Sequence, residues 1–367
     1  MHIRASREIL LRALQSVIGV VERRQALPIL GNLRLSCAED GALAIQATDL
    51  EVQITSRCPV ESTEPGSTTA PARKLFDIVR SLPDGADTEL QLEEGRLHLQ
   101  SGRSRFVLAT LPAEEFPELG GDGEYRTLKV GAGILKSLIS RTQFAMAQQD
   151  VRYYLNGLLL EVADGRLRAV ATDGHRLAVA EEALGADANA AGQFIVPRKT
   201  VQEISRVLDR EDMMAGLRLS TSQLVLEADD VTLVSKLVDG KYPEYRRVIP
   251  EAGDRKMTAD RSRVSRALSR AAILSNEKFR GIRLRFEDNT VRIEAQNPDQ
   301  EEAAEELEIE YEGAPLEIGF NVNYLVEALN AIEGERFVME MRGPDASGLI
   351  FDPDKPQHQY VVMPMRL

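Results

Sequence analysis

Two hydrophobic patterns alternate along the chain. Stretches such as NLRLSCAEDGALAIQATDLEVQI place apolar residues at every second position on either side of short turns rich in Asp, Gly or Asn, which predicts antiparallel strands. Stretches such as SREILLRALQSVIGVV space them by three and four, which predicts amphipathic helices. The alternation is itself periodic. ATD at Ala47 to Asp49 returns at Ala171 to Asp173 and again as AQN at Ala295 to Asn297, each step being 124 residues. The strands around these positions, GLLLEVADGRLRAVATDGHRLAVAE and GIRLRFEDNTVRIEAQNPDQEEAAEEL, read like the first set.

Each repeat is predicted to hold two helices. The first is SREILLRALQSVIGVV, GAGILKSLISRTQFAM or DRSRVSRALSRAAIL; the second is PARKLFDIVRSL, PRKTVQEISRVL or FNVNYLVEALNAI. Proline at the start of two of the second helices suits a first helical turn. Each copy closes on an apolar or aromatic residue before proline, at Phe116-Pro117, Tyr242-Pro243 and Met363-Pro364. The expected architecture is α+β: three copies of one domain, at residues 1–122, 123–250 and 251–367, each with two helices packed on antiparallel sheets. Three copies leave little chain for a separate catalytic domain.

Composition narrows the class. Hydrophobic residues make up 43% and charged residues 28%, while aromatics at 5% and the lack of tryptophan point to aliphatic cores. No apolar run approaches the roughly 18 residues of a membrane helix, and the N-terminal MHIRASREILLRALQ is too charged for a secretory signal, so a cytoplasmic protein is expected. Cys37 and Cys58 form neither a disulfide framework nor a metal-ligand spacing, and reduced, packed thiols are expected. No GxxxxGK[ST] sequence is present, so neither an intrinsic ATPase nor any cofactor is expected.

The net charge of −13 argues against an acidic partner until its distribution is counted. The first helices with their flanks carry +3, +2 and +4, the second helices +2, +2 and −2; these windows hold +11 in all and leave −24 for the rest. Helices packed on a sheet turn their charged stripe outward, so helices gathered on one side would make that side basic. Such a surface suits weak, sequence-independent phosphate contact. No zinc finger, basic zipper or recognition-helix module is present to read bases.

One stretch has the residue types of an active site. ATDGHRLAV, Ala171 to Val179, brings Asp173, His175 and Arg176 together, and an Asp-His pair can orient a general base. A hydrolase using Asp173 and His175 is one alternative reading and an open, basic DNA-coating scaffold another. The first copy keeps ATD but follows it with LEVQI, which favours a role for ATD in the fold.

Longer segments carry a resemblance over the whole chain: LPILGN (Leu27 to Asn32), SGRSRF (Ser101 to Phe106), QDVRYYLNG (Gln149 to Gly157), ATDGHRLAV, SKLVDGKYPEYRRV (Ser235 to Val248), AILSNEKFRG (Ala272 to Gly281) and YVVMPMRL (Tyr360 to Leu367). In these the chain resembles the bacterial DNA polymerase III beta subunits, the replicative sliding clamps. The resemblance implies a head-to-tail homodimer of three-domain chains that forms a six-domain ring around duplex DNA and performs no chemistry. It implies DNA contact at Arg24, Arg73, Gln149, Tyr153 and Tyr154, with Lys199 added, and leaves open how Gln25 and Ala26 bear on Arg24.

It further implies a cleft for short peptides of the polymerase III alpha subunit, the clamp loader, other polymerases and repair proteins. The matching positions are Leu155, Thr172, Gly174, His175, Arg176, Leu177, Pro243, Arg247, Val248, Val361, Val362, Met363, Pro364, Met365 and Arg366. The acidic run DQEEAAEE could suggest a metal site or a solvated face; the resemblance instead sets Glu301, Glu302 and Glu305 opposite Lys74, Arg103 and Arg105 across a dimer join, with Phe106 and Leu108 meeting Ile273 and Leu274.

Overall fold

The computed structural model describes all residues except 25–26, 121–122, 186–190 and 367, so Gln25 and Ala26 lie outside the described residues, as does the proposed boundary at residue 122. Among the described residues, six α-helices occupy the six predicted places: α1 Arg7–Val17, α2 Ala72–Ser81, α3 Ala132–Thr142, α4 Arg198–Val207, α5 Arg261–Ala272 and α6 Val322–Ala331. Their starts follow from the sequence. Ser6 and Asp260 accept from the Ile9 and Arg263 amides at the heads of α1 and α5. Pro71 caps α2 without needing an amide, and Asn321 replaces proline at the third copy by accepting from the Asn323 amide. None of the described helices is long and apolar enough to cross a membrane.

The chain forms two compact units whose division falls within the second repeat. The first, made of the described residues of 1–136 and 199–237, contains two antiparallel sheets. Its five-stranded sheet runs Glu61–Glu64, His2–Ser6, Asp87–Glu93, Arg96–Ser101, Ser104–Ala109. Its eight-stranded sheet runs Arg126–Gly131, Met214–Leu219, Gln223–Ala228, Val231–Lys236, Val52–Pro59, Ala42–Thr48, Asn32–Cys37, Gly66–Pro71. Helices α1 and α2 pack together, burying Leu10, Leu14, Val17, Leu75 and Val79 with Leu33, Leu43 and Ile54 of the sheet.

The second unit, made of the described residues of 137–185, 191–198 and 238–366, repeats the plan. Its nine-stranded sheet runs Gly192–Pro197, Gly157–Ala163, Arg166–Thr172, Arg176–Ala183, Lys355–Val362, Gly348–Asp352, Arg336–Met341, Arg255–Asp260, Glu310–Glu312. Its four-stranded sheet runs Glu302–Glu308, Thr290–Gln296, Gly281–Glu287, Leu316–Asn321. Helices α5 and α6 pack together here, with Val264, Leu268, Leu325 and Leu329 buried.

Each large sheet crosses a repeat boundary through equivalent strands. In the first unit, Val231–Lys236 of the second copy pairs antiparallel with Val52–Pro59 of the first, setting Ser235 opposite Val52 and Val231 opposite Ser56. In the second unit, Lys355–Val362 of the third copy pairs with Arg176–Ala183 of the second, setting Val362 opposite Arg176. The matching strands left over are Ser104–Ala109 of the first copy and Glu302–Glu308 of the third, and both are sheet edges.

The repeated ATD is a turn. Thr48 Oγ1 donates to the Val52 carbonyl at 3.0 Å and accepts from the Leu50 amide at 3.1 Å, while Asp49 Oδ1 accepts from the Glu51 and Val52 amides at 2.9 and 2.7 Å. Thr172 and Asp173 repeat the pattern with Arg176, Gly174 and His175. The third residue has positive φ in both, 76° at Leu50 and 88° at Gly174. Asp49 also binds Lys199 of α4, which further donates to the Val20 carbonyl at 3.0 Å and to Glu22 at 2.9 Å. Replacing Asp49 by Ala leaves two amides without their acceptor and takes one of three acceptors from a half-buried ammonium. The expected cost is about 3 kcal/mol, read as a lowered midpoint of urea unfolding, against about 1 kcal/mol for Asn297→Ala in the third copy.

Candidate functional site

The second unit gathers the predicted cleft residues around the end of its nine-stranded sheet. Leu177 stands opposite Val361 and Arg176 opposite Val362 on paired strands. Leu155, Leu177 and Val361 are buried in one cluster with Tyr242 and Tyr245, and Tyr154 packs against it. Beyond the strand, the Met363 amide donates to the His175 carbonyl at 3.0 Å and the Met365 amide to the Gly319 carbonyl at 2.9 Å, which pins the terminal segment over the sheet end. Met363 and Val248 remain 40% exposed, so an apolar rim stands beside an apolar floor. Pro243, Arg247 and His175 are exposed as well. Past the rim, Met365 and Arg366 border a groove of about 490 Å³ with Arg283, Ile318, Gly319 and Pro344, none of which the sequence singled out.

Arg176 is held on every side. It donates to Asp173 Oδ2 at 3.1 Å, to the Phe144 carbonyl at 2.7 Å and to Glu327, with its guanidinium 4.4 Å from the Tyr324 ring centre and 5.2 Å from that of Phe144. Cation–π contact on two rings and three acceptors fix its position. Phe144, Tyr324 and Glu327 escape a sequence reading because they reach Arg176 from 32, 148 and 151 positions away. Burial, then the nearby Asp173 carboxylate, pushes the Tyr324 hydroxyl up.

This geometry removes the catalytic alternative. Asp173 spends Oδ1 on the His175 and Arg176 amides and Oδ2 on the Arg176 side chain. Among the described residues, His175 meets Asp173 through its backbone amide, and no ring-to-carboxylate bond forms between them. The aspartate is held by three donors of its own turn and makes no bond to the imidazole, so the pair is not arranged as a general base and its orienter. Gly174 suits its backbone angle, φ 88°, and a Cβ there would meet only the movable end of the Arg152 side chain.

The predicted DNA contacts divide by environment. Arg24, Arg73, Gln149 and Tyr153 are exposed, and Tyr153 is 57% accessible. Arg73 donates to the Val21 carbonyl at 2.9 Å. Tyr153 and Tyr154 meet edge to face, their ring centres 5.8 Å apart, with Tyr154 the inner, packed member. Beside them Arg152 grips Asp150 and holds its carboxyl down at about 2. Lys199 has its three N–H donors directed at Val20, Glu22 and Asp49. Burial opposes its charge, but the two carboxylates outweigh burial and raise its pKa. Its ammonium is therefore engaged inside the fold, which charge counting along the sequence could not register.

The predicted dimer residues lie on or beside the two edge strands. Along Ser104–Ala109, Arg105 and Val107 are exposed, Phe106 is half-buried and Leu108 is already inside the fold. Lys74 and Arg103 are exposed. Ile273 caps α5 with 75% of its surface accessible, and Leu274 beside it is half-buried. Along Glu302–Glu308, exposure alternates, and Glu305 takes both bonds of a 2.7 Å fork from Arg270. Glu301 accepts from Asn297 at 2.6 Å and Glu302 from Gln296 at 3.1 Å.

Comparison with known proteins agrees with the repeat. Family models of the DNA polymerase III beta subunit match the chain in order: the N-terminal domain over residues 1–120, the central domain over 129–244 and the C-terminal domain over 246–366. The chain is 47% identical over 368 residues to the beta sliding clamp of Pseudomonas aeruginosa and to that of Escherichia coli K12, covering 100% of both chains in each case. Among solved structures, the Pseudomonas aeruginosa DnaN sliding clamp bound to griselimycin superposes with a TM-score of 0.96 at 48% identity, over 100% of each chain. With its three successive α+β domains, matching turns and complete alignment, the chain belongs to the DNA polymerase III beta subunit family, the beta sliding clamps.

Proposed function

We propose that this protein is a processivity clamp: two chains close head to tail around duplex DNA, and a peptide cleft on each tethers the polymerase and other DNA-processing partners. The observation that carries the reading is the pair of equivalent strand joins within the chain and the pair of equivalent edges left over. An exposed edge is a template for another strand, and a contact between two different surfaces closes when the rotation it generates closes. The clamp domains are taken as residues 1–122, 123–250 and 251–367.

The joins inside the chain also set the register of the proposed one between chains. Ser101 opposite Ser104 corresponds to Ala228 opposite Val231, so Leu108 occupies the place of Ser235. Gln296 opposite Glu302 corresponds to Thr48 opposite Gln53, so Glu301 occupies the place of Val52. Ser235 faces Val52; Leu108 therefore faces Glu301 of the partner subunit, Phe106 faces Ala303 of the partner subunit and Ser104 faces Glu305 of the partner subunit. This sets Arg103 and Arg105 among Glu301, Glu302 and Glu305 of the partner subunit, with Lys74 near the same carboxylates. Charge then selects first-to-third encounters over like-with-like ones. Ile273 and Leu274 supply apolar contact to Phe106.

On DNA, Arg24, Arg73 and Gln149 offer weak phosphate contacts and Tyr153 a stacking face, with Tyr154 held behind it. Lys199 acts chiefly as a lock on the Asp49 turn. In the cleft, Met363 and Val248 can repack around different apolar peptide residues, while Arg247 and His175 orient polar groups. The clamp supplies no chemistry. It keeps a dissociated polymerase at high local concentration so that rebinding outruns escape, and an ATP-driven loader opens it from outside.

Loading by the clamp loader should leave the protein on nicked circular DNA through gel filtration and lose it from linear DNA of the same length. Equal retention would favour an open scaffold. Replacing Ile273 and Leu274 together by Ala should shift the mass at submicromolar concentration from dimer to monomer; an unchanged mass counts against the join. His175→Ala combined with Met363→Ala should weaken binding to the polymerase III alpha subunit by about tenfold, some 1.4 kcal/mol, in surface plasmon resonance while retention on circular DNA is unchanged.

A further inference from the structure

Under the 3₁₀ turn Tyr245–Arg247, the nine-stranded sheet carries a row of polar side chains. Gln193 stands opposite Glu161, Glu161 opposite Arg168 and Arg168 opposite Glu181, on four adjacent strands. Directly opposed residues share a sheet face, so the four form one ladder across the sheet. Glu161 lies at its centre and is 4% exposed. Its carboxylate accepts from Gln193 Nε2 at 2.7 Å and from Arg168 at 3.2 Å within the sheet, and from Tyr245 Oη at 2.8 Å and Arg246 at 2.6 Å from the turn. Arg168 also binds Glu181, which Arg166 reaches at 2.6 Å.

Four donors surround the carboxylate, three on Oε2 and one on Oε1, and they arrive from two elements that share no backbone ladder. Burial disfavours the charged form of Glu161, but Gln193, Tyr245 and the arginines outweigh it and keep its pKa below the ordinary value. A turn packed only through apolar contact could slide by a fraction of an ångström at little cost. One tied through directional, charge-assisted bonds at two successive residues cannot. The same turn closes with Val248 donating to the Tyr245 carbonyl at 3.0 Å and Arg247 to that of Glu244 at 3.2 Å. Tyr245 is buried beside Leu155, Leu177 and Val361, so its ring touches the cleft floor while its hydroxyl touches Glu161.

We propose that Glu161 is a positioning residue for partner binding: it anchors the Tyr245–Arg247 turn to the sheet and thereby fixes where Arg247 and Val248 stand on the cleft rim. The inference rests on the cleft reading above and adds to it a residue that no peptide touches. Glu161→Gln keeps the shape and loses the charge; Tyr245→Phe removes one donor and leaves the ring.

The test is a double-mutant cycle on immobilised polymerase III alpha subunit from the same organism, with hydrogen exchange of the free clamp alongside. Glu161→Gln is expected to weaken binding about tenfold, mainly through faster dissociation, and Tyr245→Phe by about threefold. Hydrogen exchange at the Arg247 and Val248 amides should quicken in both, with exchange elsewhere in the second unit unchanged. Because Glu161 acts through the turn, adding Val248→Ala to Glu161→Gln should cost much less than the product of the separate losses, whereas Met363→Ala on the terminal segment should multiply independently. Independent multiplication with Val248→Ala, or wild-type binding by Glu161→Gln while Val248→Ala and Met363→Ala both lose affinity, overturns the positioning role and leaves the cleft reading standing. Wild-type binding by Val248→Ala and Met363→Ala overturns the cleft reading itself.

Discussion

The whole arrangement depends on the need to close strand edges. A repeat of two helices on antiparallel strands ends in unpaired amides and carbonyls, and these find partners in the next copy. Twice the solution is the same, Val231–Lys236 on Val52–Pro59 and Lys355–Val362 on Arg176–Ala183. Backbone bonds make both joins, so the side chains there have been free to diverge: Ser235 faces Val52 in one and Val362 faces Arg176 in the other. A chain of three copies must leave one join unmade. The edge strands Ser104–Ala109 and Glu302–Glu308 belong to different copies and differ in charge, and that asymmetry is what the proposed head-to-tail join draws on.

The polar turn beside each join shows how one device has been specialised. Thr48 with Asp49 and Thr172 with Asp173 fold the same turn with the same four bonds. In the first copy the aspartate's spare oxygen takes Lys199 from α4; in the second it takes Arg176, which also binds Glu327 of α6. Each turn thus fastens a helix of the following copy. In the second, the fastening cation also lies over the Phe144 and Tyr324 rings. A motif with the residues of a general base directs its carboxylate to the turn and to a neighbouring cation instead.

Much of this was legible in the sequence because it is local or periodic. The 124-residue spacing, the six helices and the strand pairs around ATD follow from apolar periods of two and of three to four, and those periods are fixed by backbone geometry. The escaped features are those set by distant contacts. The ties of Lys199 to Glu22 and Asp49 span 177 and 150 positions. The inward packing of Leu108, on an edge strand whose neighbours Arg105 and Val107 are exposed, is set by the core beneath it. The Glu161 ladder joins residues 7, 32, 84 and 85 apart, and each of them, read singly, is an ordinary charged or polar residue on a strand or loop.

A cleft that accepts several peptides needs an adaptable surface on an immobile support, and the two requirements fall on different chemistry. Met363 is flexible and, like Val248, stands partly in water. The parts behind them are held, since Arg176 is clasped by two rings and three acceptors and Glu161 by four donors. Buried ionic groups of this kind contribute little to net stability compared with a well-packed apolar substitute. What they contribute is a defined position, and a tethering protein whose partners exchange at one site depends on that position being the same for each arrival.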